Sequence, residues 1–249
     1  MIIQIIGQAG SRKTTVAKML ASRINATHIN ADDVRADLNK DLGFSIEDRV
    51  ENARRLGALA RLLEKQGQLV IVDFICPTQA TRDAFGKPDI QVWMNTIKEG
   101  RFEDTNKIWE EPKDFDFQIT EDISSKEAVD GIITRFGLFD WQRPTTLMLG
   151  RYQPWHEGHQ ALMDVADSRT GQTVVAVRNT HGTSEKDPLS YEQVVESIHK
   201  MTLRPAIVQL PNITHIVYGR DVGYKIEQVD LGAEIHAISA TQKRKELGI

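Results

Sequence analysis

The sequence predicts an α/β protein in which parallel strands alternate with helices. Its 249 residues are enough for two domains of ordinary size. Short apolar runs rich in β-branched residues recur along the chain, and stretches of helical periodicity lie between several of them. Because strand and helix in alternation favour a parallel sheet covered by helices on both faces, we expect an α/β architecture in two domains.

The individual elements follow from these runs in chain order. The runs that predict strands are IIQII, LVIVDF, TTLML, TVVAV, AIVQL, HIVYG and EIHAI. The stretches that predict helices are TTVAKMLASRI, ENARRLGALARLLEKQ, HQALMDVADSR and SYEQVVESIHKM. From about residue 99 to about residue 142 the chain is acidic and weakly periodic, and Arg143 and Pro144 then precede a fresh strand that ends in glycine. We therefore expect one domain at residues 1–142 and a second at residues 143–249.

Composition excludes several functional classes. Hydrophobic residues make up 40% of the chain and charged residues 27%, with a formal net charge of -4, which is typical of a globular protein without a nucleic-acid partner. The single cysteine, Cys76, rules out an internal disulfide and a cysteine-rich zinc site, as in a reducing compartment. The first apolar residues are too few to span a bilayer and lack a basic leader. We expect a cytoplasmic protein with small-molecule substrates and no membrane partner.

The stretch GQAGSRKTT, residues 7–15, follows the first predicted strand and opens the first predicted helix. This is the arrangement of the phosphate-binding loop (P-loop) G-x-x-x-x-G-K-[ST], in which backbone N–H groups at a helix start bind anions. The lysine adds a positive charge for the β- and γ-phosphates, and the hydroxyl after it binds Mg2+. The alternative is a plain strand-turn-helix with a surface lysine. The ATP-binding candidates are Gly7, Gly10, Ser11, Arg12, Lys13, Thr14 and Thr15.

Arg12 departs from this pattern because it stands where such loops usually carry a glycine. That glycine often adopts a backbone conformation that costs a residue with a Cβ atom on the order of 1 kcal/mol or more. A guanidinium that also contacts phosphate would offset this cost. We therefore expect Arg12 to belong to a working loop.

Residues 29–83 contain the runs NADDVR, DLGFSIEDRVENARR and FICP. These runs resemble the D-G-D-N-V-R, D-L-G-F-S-x-x-D-R-x-E-N-x-R-R and F-I-S-P patterns of adenylylsulfate (APS) kinases, and the resemblance covers most of residues 1–85. It implies a P-loop kinase sheet with flanking helices, and the phosphorylation of the 3'-hydroxyl of adenylylsulfate by ATP and Mg2+. A homodimer is also implied by the resemblance alone.

The same resemblance implies roles for individual side chains. Lys13 and Asp32 would be catalytic, and Asp32 would accept the proton of the 3'-hydroxyl. Thr14 would bind Mg2+, together with Asp73, which ends a predicted strand where many P-loop enzymes hold Mg2+ through water. The implied substrate-binding residues are Arg35, Phe44, Arg49, Asn52, Phe74, Ile75 and Phe102. For any single arginine of this region, the alternative is a solvated charged face.

Several positions depart from the kinase pattern. Asn30 replaces the first aspartate of D-G-D, which removes one charge, and Asp33 and Asp73 are the candidates to compensate for it. Cys76 replaces the serine of F-I-S-P and removes a hydroxyl. Beyond residue 82 the resemblance is confined to GRFEDTNKIWEEP, which is similar to the family's F-T-G-x-x-x-P-Y-E-x-P loop and makes Phe102 a candidate cover for adenine.

A second motif lies in the stretch LMLGRYQPWHEGHQALM, where His156 and His159 stand three residues apart at the start of a predicted helix. This spacing directs both imidazoles to one spot, where the partial positive charge of the helix start favours phosphate. The stretch resembles the H-x-G-H motif of the adenylyl/cytidylyltransferase superfamily in the form G-R-[FY]-Q-P-[FW]-H-x-G-H. In that chemistry a nucleophile attacks the α-phosphate, pyrophosphate leaves, and the imidazoles stabilise the developing charge.

Two further stretches extend this resemblance to most of residues 145–249, as a Rossmann-like domain. ISATQKR resembles I-S-x-T-x-x-R of the superfamily, and KDPLSYEQVVESI resembles N-P-F-[ST]-x-x-E-R-x-x-x-I of nicotinamide mononucleotide adenylyltransferases. YGRD, residues 218–221, is similar to G-R-D-H-A-G of ATP sulfurylases, although Val222 departs from it. The ATP-binding candidates here are Gly150, Arg151, His156, His159, Ser239, Thr241 and Arg244.

A zinc site at His156 and His159 is the alternative, but no third cysteine or histidine follows at a suitable spacing, and Mg2+ carried in by ATP is the expected metal. We expect a bifunctional ATP-dependent enzyme that would make 3'-phosphoadenylylsulfate from sulfate if the second domain adenylylates sulfate. Another option is a nicotinamide mononucleotide adenylyltransferase joined to a kinase of different substrate. A third is a non-catalytic nucleotide sensor, because Arg12 and Asn30 depart from the kinase pattern.

Overall fold

The chain folds into two compact units in a computed structural model, Met1–Gln142 and Arg143–Ile249. The structure describes residues 1–120, 123–180, 182–202, 206–217, 219–220, 223, 225–236, 238 and 240–248. Across those ranges, none of the helices combines the length and apolar character that a membrane span requires.

The first unit alternates strands and helices from its first residues. Its strands are β1 (Ile2–Gly7), β2 (Thr27–Asn30), β3 (Val70–Phe74), β4 (Ile90–Met94) and β5 (Phe117–Ile119). Its helices are α1 (Lys13–Ile24), α2 (Ala31–Asp37), α3 (Ile46–Lys65), α4 (Gln79–Phe85), α5 (Glu103–Ile108) and α6 (Ser125–Phe136).

The five strands form one parallel sheet in the order β2-β3-β1-β4-β5. This confirms the predicted α/β architecture with a parallel sheet. In the register of the sheet, Asn30 of β2 lies opposite Asp73 of β3, and Gly7 of β1 lies opposite Met94 of β4. The carboxyl ends of these strands therefore meet at one edge, where ligands bind in open α/β sheets.

Helices cover both faces of this sheet because successive strand residues point to opposite sides. Ile3 and Ile5 of β1 are fully buried in a cluster with residues of α1 and α6. Ile2 of the same strand belongs to a second cluster, with residues of α3 and with Phe85 of α4. The two clusters form a core on either side of the sheet.

The second unit contains a smaller parallel sheet in the order β6-β7-β8. Its core includes Met148, Trp155, Val175, Val177 and Ile198. The elements are β6 (Thr146–Gly150), α7 (Glu157–Thr170), β7 (Thr173–Arg178), α8 (Tyr191–Met201), β8 (Ala206–Leu210), α9 (Ala233–His236) and α10 (Ala240–Leu247).

Two strand predictions in this unit were wrong. The run EIHAI contains α9 rather than a strand, and the described residues of HIVYG, 215–217 and 219, form no strand. Such short apolar runs fit a helix or a loop as well as a strand, because five residues carry too little periodicity to distinguish them.

Seven elements of the first unit were not predicted: β2, β4, β5, α2, α4, α5 and α6. The signal for α6 was present, since Ser124 and Glu127 form a reciprocal capping box at its start. The three strands are short and lack the continuous β-branched runs of β1 and β3, which explains why they escaped the pattern.

Candidate active sites

The phosphate-binding loop connects β1 to α1 at the carboxyl edge of the first sheet. Gly7 and Gly10 have φ angles of 150° and 101°, in a region that side chains with a Cβ atom rarely adopt. A Cβ atom on Gly7 would lie 2.5 Å from the carbonyl oxygen of Met94 on β4. Both glycines are therefore required by the shape of the loop and by its close contact with the neighbouring strand.

Arg12 occupies the left-handed region, with φ 67° and ψ 17°, and precedes the first residue of α1. An arginine in this conformation costs on the order of 1 kcal/mol relative to glycine. Its Nη2 donates a hydrogen bond of 2.9 Å to the carbonyl oxygen of Ile123, just before α6. The guanidinium thus ties the loop to the start of α6 in this structure.

Lys13 is buried at the start of α1, and its Nζ donates to the carbonyl oxygen of Gln8 at 2.8 Å. Burial lowers the pKa of the Lys13 ammonium to about 8, although the charges of Asp73 and Asp32 act in the opposite direction. A triphosphate placed on the loop would supply the negative charge that a buried ammonium needs.

Asp73, at the end of β3, is the centre of a hydrogen-bond network under the loop. Its carboxylate is 1% exposed and accepts from the Thr14 hydroxyl and from His28 Nε2, each at 2.6 Å. Asn30 Nδ2 lies 3.2 Å from both carboxylate oxygens. Burial raises the pKa of Asp73, but the hydrogen bonds to its carboxylate outweigh burial, so that the pKa lies below its ordinary value.

A cavity of about 970 Å3 opens in front of the loop. The basic residues in its wall are Arg12, Lys13, Arg35, Lys40, Arg49 and Arg101, and the acidic ones are Asp32, Asp73 and Asp104. The aromatic residues in its wall are Phe44, Phe74 and Phe102. The excess of positive charge suits polyphosphate ligands, and the rings suit a planar base.

Another part of the cavity wall is formed by Arg35, Phe44 and Arg49, which come from a later part of the sequence than Lys13. The guanidinium carbons of Arg35 and Arg49 lie 4.8 Å and 5.6 Å from the ring centroid of Phe44. Arg35 also donates to the carbonyl oxygen of Gly43. Arg49 Nη2 forms an ion pair of 2.6 Å with Asp104 at the start of α5.

Most of the substrate-binding candidates share this cavity, and one does not. Phe74, Ile75 and Phe102 line it, as does Asp32 on α2. Asn52 is buried outside the wall, where its Oδ1 accepts from Asn39 Nδ2 at 2.9 Å.

Neither Asp33, a candidate to compensate for Asn30, nor Cys76 adds a side chain to the cavity wall. The Asp33 side chain is not part of the wall, and its backbone N–H donates to Asn30 Oδ1 at 3.1 Å. Cys76 is fully buried, and burial raises the pKa of its thiol to about 12. The thiol of Cys76 therefore stays protonated and unreactive at neutral pH.

Sequence reasoning missed several cavity residues, namely Lys40, Arg101, Asp104 and Thr105. The segment that carries Arg101 and Asp104 reaches the loop because Gly100 packs against it. A Cβ atom on Gly100 would lie 2.9 Å from the backbone nitrogen of Ala9. A glycine beside an arginine and an aromatic residue was the available signal for this approach.

In the second unit, His156 and His159 lie at the start of α7, directly after the turn that follows β6. Their rings stack with centroids 3.8 Å apart. His159 also contacts the rings of Tyr152 and Trp155, at 5.0 Å and 5.3 Å. The turn itself needs Gly150, because a Cβ atom there would lie 2.7 Å from the Tyr152 ring.

Backbone hydrogen bonds set the tautomer of both histidines. His156 Nδ1 accepts from the N–H of Gly158 at 3.2 Å, and His159 Nδ1 accepts from the N–H of His156 at 3.3 Å. A ring nitrogen that accepts carries no proton, so each neutral imidazole presents its N–H at Nε2. Burial lowers the pKa of both side chains, to about 3 for His159, where the charge of His156 adds to the effect.

The candidates on α10 lie close to this turn. Arg244 Nη1 donates to the carbonyl oxygen of Gln153 at 2.9 Å, and its Nη2 donates to the Thr241 hydroxyl at 3.1 Å. Arg151 is half exposed and forms an ion pair of 3.0 Å with Asp187. Ser239 lies outside the described residues, as do Tyr218 and Asp221 of the YGRD stretch.

A smaller cavity of about 180 Å3 lies where β7 ends and α8 begins. Its wall includes Gln153, Arg178, Ser190 and Tyr191. Gln153 therefore borders this cavity while its carbonyl oxygen receives Arg244. Within the described ranges, no three histidine, cysteine or acidic side chains gather into a group that could hold a metal ion.

Together, the strand order, the loop at the end of β1 and the basic cavity define the first unit as an α/β unit of the phosphate-binding-loop type. Residues 1–97 match the family model of adenylylsulphate kinase. The N-terminal part of this chain is thus similar to the adenylylsulphate kinases.

Curated adenylyl-sulfate kinases are also similar to part of the chain. An adenylyl-sulfate kinase of Bacillus pumilus is 45% identical over 86 residues, which is 32% of this chain and 44% of that protein. The bifunctional enzyme NodQ of Azospirillum brasilense is 39% identical over 88 residues, 33% of this chain and 14% of that protein. The chain therefore spans less than half the length of these relatives.

Among solved structures, the APS kinase CysC of Mycobacterium tuberculosis, in complex with AMPPNP and APS, is similar to the chain. Its sequence identity is 26% and its TM-score 0.48, over 55% of this chain and 96% of that chain.

Proposed function

We propose that the first unit is a kinase that transfers the γ-phosphate of ATP to the 3'-hydroxyl of adenylylsulfate. The observation that carries this proposal is the single cavity in whose wall Lys13 lies with Asp32, Arg35 and Arg49. One part of the wall suits a triphosphate, and the other suits an anionic acceptor with an aromatic base. Similarity to the adenylylsulphate kinase family over residues 1–97 supports the choice of acceptor.

Each side chain has a part in the reaction under this proposal. The start of α1 and Lys13 bind the β- and γ-phosphates. Asp32 accepts the proton of the 3'-hydroxyl while the oxygen of that hydroxyl bonds to the γ-phosphorus of ATP. At the same time the bond between the γ-phosphorus and the oxygen that bridges to the β-phosphate breaks, and ADP leaves. Arg35 and Arg49 hold the phosphosulfate of the acceptor.

Mg2+ suits the oxygen ligands beside the loop, because the hydroxyl of Thr14 and the carboxylate of Asp73 already lie 2.6 Å apart. These two residues would hold the ion, directly or through water. Bound with ATP, it would neutralise charge on the β- and γ-phosphates.

Product analysis tests the kinase proposal. The chain is incubated with ATP, Mg2+ and adenylylsulfate, and mass spectrometry follows ADP and 3'-phosphoadenylylsulfate. We expect both products in equal amounts, and a loss of about a hundredfold or more in rate for Lys13→Ala, because it removes a charge at the transferring phosphate. The variant His159→Ala is the control and should keep the full rate. Absence of 3'-phosphoadenylylsulfate, or full activity of Lys13→Ala, would contradict the proposal.

We propose for the second unit the transfer of an adenylyl group from ATP to an acceptor, with release of pyrophosphate. Support comes from the stacked imidazoles at the start of α7 and from Arg244, which is bonded to the same turn. Two Nε2–H groups, a helix start and a guanidinium would together stabilise charge on a triphosphate.

The proposal for the second unit does not specify the adenylyl acceptor. Separate incubations of the chain with ATP and sulfate, and with ATP and nicotinamide mononucleotide, identify it. Pyrophosphate release with sulfate would join the two units into one route to 3'-phosphoadenylylsulfate. His159→Ala should lower pyrophosphate release by about a hundredfold, and Lys13→Ala should leave it unchanged. Nucleotide binding without product from either acceptor would instead favour a sensor.

A further inference from the structure

Four side chains form a closed hydrogen-bond network beneath the phosphate loop. They come from the ends of β2 and β3 and from the first turn of α1. The members are His28, Asn30, Asp73 and Thr14. His28 lies outside the patterns that pointed to catalysis, and Asn30 lies in them only as a departure from D-G-D. The role of these two side chains in the network is argued from their geometry.

Asp73 needs this network because its carboxylate is almost fully buried. A buried carboxylate is tolerated only with donors on its oxygens. Thr14 donates to Oδ2 and His28 to Oδ1, each at 2.6 Å. Asn30 Nδ2 lies 3.2 Å from both oxygens and 3.2 Å from the Thr14 hydroxyl.

Asn30 uses the two ends of its amide for different partners. While Nδ2 faces Asp73, Oδ1 accepts from the backbone N–H groups of Asp32 and Asp33 at 2.9 Å and 3.1 Å. It thereby caps α2, the helix that carries Asp32 and Arg35 into the cavity wall. One side chain thus connects the loop that binds phosphate to the helix that faces the acceptor.

We propose that Asn30 is a positioning residue that couples the phosphate loop to α2, and that it does so by donating to Asp73. Its consequence for turnover rests on the proposed kinase function, whereas its effect on nucleotide binding does not. The competing explanation is that Asn30 acts as a helix cap and nothing more.

Aspartate at position 30 separates these explanations. Asparagine and aspartate cap helices about equally well, so Asn30→Asp keeps the cap of α2. A carboxylate cannot donate, however, and it would face the carboxylate of Asp73 across the strand pair. The variant therefore removes the coupling and leaves the cap.

The experiment is a double-mutant cycle on the full chain, with Asn30→Asp, Asp73→Asn and the two combined. Calorimetry measures binding of the ATP analogue AMPPNP with Mg2+, in a His159→Ala background that removes binding at the second unit. We expect Asn30→Asp to weaken binding about tenfold or more. The combined variant restores an amide beside a carboxylate, so we expect it to recover most of the affinity that each single change loses.

Two results would overturn the proposal. One is an Asn30→Asp variant that binds AMPPNP within twofold of the parent, as a pure cap role predicts. The other is a combined variant whose loss equals the sum of the single losses, because the residues would then act independently.

Matched variants keep the test interpretable. Asn39 is also a buried asparagine whose amide donates to a neighbour, but it lies outside the cavity wall. Asn39→Asp should lower the melting temperature and leave AMPPNP affinity within twofold. An equal loss of affinity in Asn39→Asp would contradict a specific role for Asn30.

If Asn30→Asp does not fold, Asn30→Ser takes its place. Serine and glycine both cap a helix, but only serine has a side-chain donor, so Asn30→Ser should bind AMPPNP more tightly than Asn30→Gly. Equal affinity of these two variants would overturn the proposal. No acceptor is present in these titrations, so a failed cycle and a wrong acceptor give different results.

Discussion

The two units bring a strand end and a helix start together in the same way but place different charges there. In the first unit the helix start carries the buried ammonium of Lys13, whose charged form the carboxylate of Asp73 stabilises. In the second unit it carries the stacked imidazoles of His156 and His159, and burial keeps both neutral at pH 7. One site is thus charged before a ligand arrives, whereas the other presents neutral donors.

This difference indicates how each site is stabilised without a ligand. The charged site needs a network of donors around Asp73, which links β2, β3 and α1. The neutral site needs little more than the backbone N–H groups of its own helix start, since these bond to both Nδ1 atoms. The network of the first site therefore joins distant parts of the chain. The two imidazoles of the second site are positioned by a local turn, to which Arg244 of α10 adds a distant contact.

The pH dependence of stability should give the largest contrast. His159 has a pKa of about 3 in the fold against about 6.5 when exposed. Between these values the unfolded chain binds more protons, so stability is lost as the pH falls from about 6.5 toward 3. Denaturant unfolding followed by circular dichroism, in the wild type and in His159→Gln, should show a difference that changes with pH across this range. If the two proteins differed in free energy of unfolding by the same amount at pH 4 and pH 7, His159 would not be held neutral by the fold.

Removing a donor from the buried carboxylate should have the next largest effect. His28→Leu leaves Asp73 short of one hydrogen bond, which should lower the free energy of unfolding by about 1–3 kcal/mol. His28→Gln keeps an N–H donor and should lose less than half of that. Urea unfolding of both variants measures the difference, and equal losses would show that His28 contributes by packing instead.

A smaller effect is expected at the ion pair between Arg49 and Asp104. Asp104 is 65% exposed, and such pairs contribute at most about 1 kcal/mol. Asp104→Ala should free Arg49 for the acceptor and lower the KM for adenylylsulfate by up to about fivefold. Glu103→Ala is the control, because Glu103 pairs with Lys107 and is not part of the cavity wall. A raised KM in Asp104→Ala would show that Asp104 itself binds the acceptor.

Arg12 should give the smallest change. Arg12→Gly relieves the left-handed conformation but loses the hydrogen bond to Ile123 and loosens the unfolded chain, so the net effect should stay within about 1 kcal/mol. AMPPNP affinity should also change less than threefold, which calorimetry measures. A tenfold loss of affinity would show that the guanidinium reaches the phosphates.

Local patterns were sufficient to predict the elements next to the phosphate loop of the first unit. The α/β class, β1, β3 and the glycine-lysine loop all come from short continuous stretches in which the chemistry and the element coincide. The family resemblance over residues 29–83 added the side chains that line the cavity, because it fixes many positions over a long span. The prediction of EIHAI as a strand failed because the apolar periodicity of five residues does not distinguish a strand from a helix.

Contacts that depend on strand register could not be predicted. His28 and Asp73 are 45 residues apart, and Arg49 and Asp104 are 55 apart. These pairs arise only after β2 has been placed beside β3 and α5 beside the cavity. Asn52 is a case in which the resemblance implied a role that the fold does not support. The resemblance implied that Asn52 binds substrate, whereas in the fold its side chain is hydrogen-bonded to Asn39.

The most direct test of the account is the number of triphosphates that one chain binds. Calorimetric titration with AMPPNP and Mg2+ should give two sites for the wild type and one each for Lys13→Ala and His159→Ala. The sites lost should differ, so that the combined variant binds none. One site in the wild type, or a loss of both sites from either single change, would contradict two separate phosphate-binding helix starts.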